Sequence, residues 1–179
     1  YQLTVEPEVQ QKYIKGTEKI TMRIDTGVDS IELACGKLVI DEVKGTHVNS
    51  FRKEGSRLIV LLSANKERQI EITIKYHGNP VVGLLFNTEL DQAYTVYATS
   101  QWMICNDEPS DKATLDLDIL LPKGKKCVSN GDLIGMEENE NKMLFQWSQD
   151  YESPSYTYGF AFGDFREESE IQSGVKLKY

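Results

Sequence analysis

Apolar and polar residues alternate with a period of two along most of this chain. Ile20, Met22 and Ile24 take turns with Lys19, Thr21, Arg23 and Asp25. Ile70, Ile72, Ile74 and Tyr76 alternate with Glu71, Thr73 and Lys75, and Leu115, Leu117, Ile119 and Leu121 with Asp116, Asp118 and Leu120. Successive side chains of a strand point to opposite faces, so each set predicts a strand with one buried and one wetter face. Shorter sets occur at Ile31 and Leu33, at Leu38 and Ile40, at Met143, Phe145 and Trp147, and at Tyr156, Tyr158, Phe160 and Phe162; positions 58–62 are nearly continuous in apolar residues. Turn-forming clusters separate these sets: Asp25-Thr26-Gly27, Lys53-Glu54-Gly55-Ser56, Ala64-Asn65, Pro122-Lys123-Gly124, Asn130-Gly131 and Asn139-Glu140-Asn141. No window of about 12 residues holds a helical apolar stripe, and a single short helical turn is expected within 87–97. The pattern predicts an all-β domain, a sandwich of two or more packed antiparallel sheets.

The stretch from Tyr76 to Pro109 breaks the rhythm. It carries Gly78, Asn79-Pro80, Gly83 and Trp102 with weak periodicity. A loop of that length inside a compact domain is usually functional, so this is where a site is expected.

Composition narrows the function classes. The chain has 179 residues with 20 Lys and Arg against 28 Asp and Glu, a net charge of −8. That balance argues against nucleic acid and anionic membranes, whose phosphates are bound by neutralising cations. No apolar run approaches the roughly 20 residues of a membrane span, so a soluble domain is expected. The chain opens at Tyr1 without a basic or apolar leader and reads as a trimmed or processed product of one domain, 1–179. Three cysteines without C-x-x-C spacing favour buried thiols over a disulfide framework or a zinc ribbon. His47 and His77 lie far apart, and neither has a His partner four residues on, so no metal-ligand or nucleophile-base motif is present. By its own chemistry the chain reads as non-catalytic, with no cofactor of its own.

Residues 105–117 read C-N-D-E-P-S-D-K-A-T-L-D-L, followed by Pro122-Lys123-Gly124, Val128-Ser129-Asn130-Gly131 and Phe160-Ala161-Phe162-Gly163-Asp164-Phe165. Upstream stand Tyr1-Gln2-Leu3-Thr4-Val5, Tyr76-x-Gly78 and Gly83-Leu84-Leu85-Phe86. In this order the elements resemble the N-terminal domain of the aminopeptidase N and leukotriene hydrolase-like zinc metallopeptidases. The resemblance spans essentially the whole chain. It implies a saddle-like β-domain packed beside a thermolysin-like catalytic domain on the same polypeptide. That second domain would hold the zinc, the general base and the exopeptidase loop, and peptides would be the substrate. Gly135-Met136-Glu137-Glu138-Asn139 has the letters of the exopeptidase loop in the wrong spacing and reads as part of an acidic hairpin between Leu133 and Met143.

The resemblance also implies one substrate contact from this domain, a Q-x-[EQ] motif about a dozen residues before D-E-P that binds a peptide's amino terminus. Ungapped counting sets it on Ala93-Tyr94-Thr95, with Gln92 one residue out of register and Gln101 replacing a common Arg. Gln92 and Thr95 are therefore the candidate substrate-binding residues. Asp107, Glu108 and Pro109 are the candidate structural motif: Pro109 fixes its own φ and extends Glu108, while Asp107 is expected to accept backbone N–H groups two residues on. Thr95→Ala is expected to leave stability nearly unchanged and to alter substrate affinity only in a chain that carries the catalytic domain. The competing reading is a stand-alone scaffold sandwich with no catalytic partner.

Overall fold

The computed structural model describes residues 1–63 and 67–178. The predicted Ala64-Asn65 turn lies outside the described residues. In chain order the strands are β1 (Gln2–Glu8), β2 (Tyr13–Arg23), β3 (Ser30–Ala34), β4 (Val39–Lys44), β5 (Val48–Glu54), β6 (Arg57–Leu62), β7 (Gln69–Gly78) and β8 (Leu84–Asn87). They continue as β9 (Gln92–Thr95), β10 (Lys112–Pro122), β11 (Lys126–Ser129), β12 (Asp132–Asn139), β13 (Lys142–Pro154), β14 (Phe160–Gly163), β15 (Ser169–Gln172) and β16 (Val175–Lys178). The strands β2, β7 and β10 each coincide with a period-2 set, because alternation lets them bury one face and leave the other in water.

Four sheets result. The largest has seven strands in the order β12-β13-β10-β1-β2-β7-β4; the others are β11-β14-β9-β8, β3-β6-β5 and the β15-β16 hairpin. Among the described residues pairing is antiparallel with one exception. Gln2, Leu3, Thr4 and Val5 of β1 pair in parallel with Asp116, Leu117, Asp118 and Ile119 of β10. Hairpins force neighbouring strands antiparallel, but β10 returns after an excursion through two other sheets and is free of that constraint.

The expected features mostly appear in place. Asp116 is exposed and Asp118 half-buried on the face opposite Leu115, Leu117 and Ile119. Burial and the neighbouring Asp116 and Glu137 raise the Asp118 carboxyl above its ordinary range, against hydrogen bonds from Gln146 and Thr4. Gly135 sits in β12, paired with β13 in the expected hairpin. Cys35 and Cys105 are buried free thiols, and Cys127 is half-buried.

The stretch from 76 to 109 differs from expectation in two ways. It contains the β8–β9 hairpin instead of a continuous loop, since four-residue strands are too short to show a period. The helical turn forms later than expected, as a 3-10 turn at Thr99–Gln101.

Inward residues of the three larger sheets merge into one core around Trp102, whose ring meets Phe160 edge-on at 5.3 Å. At Gly16 the chain passes so close to the Tyr76 ring that a Cβ would lie 2.3 Å from its Cζ, so only glycine fits. One position breaks the apolar phase of β2: Glu18 is completely buried between the inward residues Gly16 and Ile20.

Candidate functional site

The site region runs from Gly83 to Asp111, where the small sheet meets the core. Asn87 shapes the β8–β9 turn: its side-chain Oδ1 accepts the N–H groups of Glu89 and Leu90, both at 3.1 Å. The turn is anchored from both sides. Lys125 Nζ lies 2.8 Å from Asp91 and 3.0 Å from Asp164, and its hydrogen bond holds the Asp91 carboxyl below its ordinary range. Gln10 donates to the Thr88 carbonyl at 3.3 Å. This ties the hairpin to the β1–β2 turn and fixes the direction in which its side chains project.

Alternation along β9 then sorts the candidate residues. Ala93 is completely buried, whereas Tyr94 is 42% exposed. Gln92 shares the outward phase of Tyr94. Together with Leu85, Phe86, Asn87, Thr88 and Glu89 they line a concavity of about 510 Å³. Thr95 falls in the opposite phase and is not among the lining residues. Its hydroxyl donates to the Phe160 carbonyl at 3.2 Å and accepts the Phe160 N–H at 2.9 Å, extending the β9–β14 ladder by a side chain. A Cβ at Gly159 would sit 2.4 Å from that hydroxyl, so the glycine makes the lock possible.

Beyond β9 the backbone turns sharply. Tyr97 and Ala98 are consecutive left-handed residues with φ of 43° and 41°, and Gly83 passes so close that its Cβ would meet the Ala98 carbonyl at 2.5 Å. Non-glycine residues adopt this conformation only where the surroundings enforce it.

The next residues are held from below. Trp102, Met103, Ile104 and Cys105 are completely buried. Tyr76 Oη donates to the Trp102 carbonyl at 2.8 Å, and the Ile104 N–H donates to Glu18 Oε2 at 3.0 Å. Cys105 bridges Ala34 through a pair of backbone hydrogen bonds. Burial pushes the Glu18 carboxyl up to about 8, against the lowering effect of the Ile104 hydrogen bond. Gln101 lies over the Gly36 turn, where a Cβ would come within 2.7 Å of its amide.

Asp107, Glu108 and Pro109 surface here as an exposed turn closed by the Asp111 N–H donating to the Glu108 carbonyl at 2.9 Å. Asp107 accepts from the Ser100 hydroxyl at 3.2 Å; its partner is a side chain seven residues earlier, in place of the expected backbone N–H two residues on. The carboxylate thus closes the loop over the 3-10 turn. Two further hydroxyls continue the tie: Thr99 donates to the Ser155 carbonyl and Ser155 to the Asn106 carbonyl, both at 2.9 Å.

Sequence reasoning did not single out Tyr94, Glu89 or Glu18. A Glu in the inward phase of β2 is a signal readable without coordinates. The concavity is not readable, since it depends on pairing across the hairpin. Among the described residues there is no group of three or more His, Cys, Asp or Glu placed to hold a metal ion.

A family model for the peptidase M1 N-terminal domain matches residues 1–157. The chain is 26% identical over 174 residues to probable aminopeptidase 1 of Sulfurisphaera tokodaii, covering 91% of this chain and 21% of that protein. It is 23% identical to a leucyl aminopeptidase of Saccharolobus solfataricus, covering 93% of this chain and 22% of that protein. It thus spans about a fifth of the length of the curated relatives it matches. Among solved structures, an M1 zinc metallopeptidase from Deinococcus radiodurans superposes with a TM-score of 0.84 at 16% identity, over 99% of this chain and 45% of that one. A variant of that protein bound to a Tyr-Ser-Ala substrate gives a TM-score of 0.85 at 17% identity, with the same coverage. The chain belongs to the peptidase M1 N-terminal domain family.

Proposed function

We propose that residues 1–179 are the single non-catalytic β-domain of a zinc aminopeptidase, and that the outward face of β9 forms one wall of its active site. The observation that carries this reading is the fit of 99% of this chain onto 45% of a metallopeptidase chain, which leaves room for a catalytic domain on the same polypeptide. Zinc and the activated water belong to that second domain; this chain contributes shape and polar contacts. Gln92 is the side chain best placed for a peptide's amino terminus, because an amide oxygen accepts hydrogen bonds and the residue lines the open concavity. Tyr94, two residues on in the same phase, stands beside it. Thr95 acts indirectly: its hydroxyl is engaged by Phe160 and sets the tilt of β9.

The division of labour explains why so much of the segment from Trp102 to Asp111 is tied to the core. A wall that meets a substrate must hold its groups to within a fraction of an ångström, and rigid elements do this better than loops. The test is turnover of a chromogenic amino-acid amide by the full-length polypeptide that contains this domain. Zinc-dependent release is expected; absence of any release, with the protein folded and zinc supplied, overturns the reading in favour of a scaffold.

A further inference from the structure

We propose that the open edge of β12 is a docking strand for an extended protein segment in which Lys or Arg alternates with apolar residues. Such a segment extends the large sheet by one strand through main-chain hydrogen bonds. β12 ends the seven-stranded sheet, and no strand among the described residues pairs with its far side. Its eight residues include neither Lys nor Pro, which commonly blunt an edge against further pairing. The opposite edge, β4, carries Lys44 in an ion pair with Glu42. Pairing of β12 with β13 is irregular between Leu133 and Gly135, which leaves residues 135–139 as the regular template. Ile134, at that irregularity, is 67% exposed.

Cross-strand pairing decides what the incoming segment must carry. Leu133 pairs with Trp147 and Met136 with Phe145, so these two exposed side chains continue the inward apolar rows to the rim of the sheet. The other face is acidic. Asp132 stands opposite Ser148, which in turn pairs with Asp116, and Glu137 lies on the same face opposite Leu144. Asp118 belongs to that face, and Glu137 is among the charges that raise its carboxyl. Glu138 is paired with Lys123 and Lys142 with Glu6, whereas Asp132 and Glu137 have no cation beside them among the described residues. A strand laid along this edge therefore meets apolar side chains on one face and uncompensated carboxylates on the other. A second copy of the chain does not fit. Pairing β12 with itself antiparallel in one continuous sheet sets Asp132 and Glu137 of both copies on the same face, where opposed like charges destabilise. A cationic strand removes that repulsion, and the net charge of −8 favours its approach. β12 and the β8–β9 hairpin belong to different sheets, so strand docking and substrate turnover are separable.

The experiment uses the full polypeptide that contains this domain and two fluorescent peptides read by anisotropy. One alternates Lys with Val. The other carries the same lysines with Pro in place of Val, which keeps the charge but cannot pair as a strand. The Lys-Val peptide is expected to bind with a micromolar dissociation constant, about tenfold tighter than the Lys-Pro peptide. Glu137→Lys and Met136→Lys are each expected to weaken its binding about tenfold, with thermal melts as in the parent. Equal binding of the two peptides means attraction by charge alone and overturns the proposal. An affinity unchanged by either variant overturns it too. Self-association of the parent in sedimentation, abolished by Met136→Lys, assigns the edge to a second copy and likewise overturns it.

Discussion

Glu18 and Ile104, 86 residues apart in sequence, meet in the core, where the Ile104 N–H donates to Glu18 Oε2 at 3.0 Å. The contact joins the middle of β2 to the buried segment beneath the proposed active-site wall. A carboxyl with no exposure holds a proton more tightly than one in water, because ionisation there forfeits hydration. Its pKa rises from the ordinary 4.5 to about 8. The titratable side chains around it are Tyr1, Tyr76 and Cys105, each shifted upward in part by a charge on Glu18.

This relationship predicts how stability depends on pH. The folded state binds the Glu18 proton more tightly than the unfolded chain does, so its contribution is fully present below 4.5 and is lost as pH rises through about 8. Glu18→Gln keeps an acceptor for Ile104 and removes the titration. Thermal melts from acid to mildly alkaline pH should show the parent losing stability across that window relative to Glu18→Gln. Parallel profiles would place the carboxyl in water.

Thr95→Ala removes both hydrogen bonds to the Phe160 backbone and should destabilise the domain by about 1–2 kcal/mol, since two backbone groups lose their partner. The sequence alone suggested no effect on stability, and the structure reverses that expectation. A melt coincident with the parent would mean that water or a backbone shift replaces the hydroxyl.

Asp107→Ala should cost about 1 kcal/mol by releasing the Ser100 hydroxyl, comparable to a lost helix cap. Ser100→Ala should cost a similar amount, and the double variant little more than either single one, because both remove the same contact. Additive losses in the thermal melts would show that the two residues act separately.

These outcomes trace what was legible in the chain. The alternation of β2, β7 and β10 was readable because each buries one face across ten or more residues. The β8–β9 hairpin was not, since four residues show too few turns of a period and its register depends on Asn87 and Lys125. The surroundings of the two candidate residues were equally hidden: counting back from Asp107 reached Thr95, whose hydroxyl is engaged by the Phe160 backbone, while Gln92 and Tyr94 line the concavity. Beyond them the left-handed pair Tyr97 and Ala98 turns the chain. Chain reversals of this kind are set by tertiary enclosure and leave little trace in local composition.

Chelation should leave the fold of the isolated chain intact. No metal-ligand cluster is present among the described residues, whereas a structural zinc site would contribute folding free energy outright. Circular dichroism with and without a chelator checks this, and chelator-induced unfolding would reveal a metal site. The same preparation should release no amino acid from a chromogenic amide, with zinc or without.

If the outward face of β9 touches substrate in the full polypeptide, removing its polar group must weaken substrate binding. The most direct measurement is kcat/KM of the zinc-loaded parent and its Gln92→Ala variant on one amino-acid amide, with a thermal melt of each. The expected result is a loss of about tenfold or more, the scale of a charge-assisted hydrogen bond, carried largely by KM, with melting unchanged because the Gln92 amide faces the concavity. Equal kcat/KM for the two proteins would contradict a substrate contact from this face.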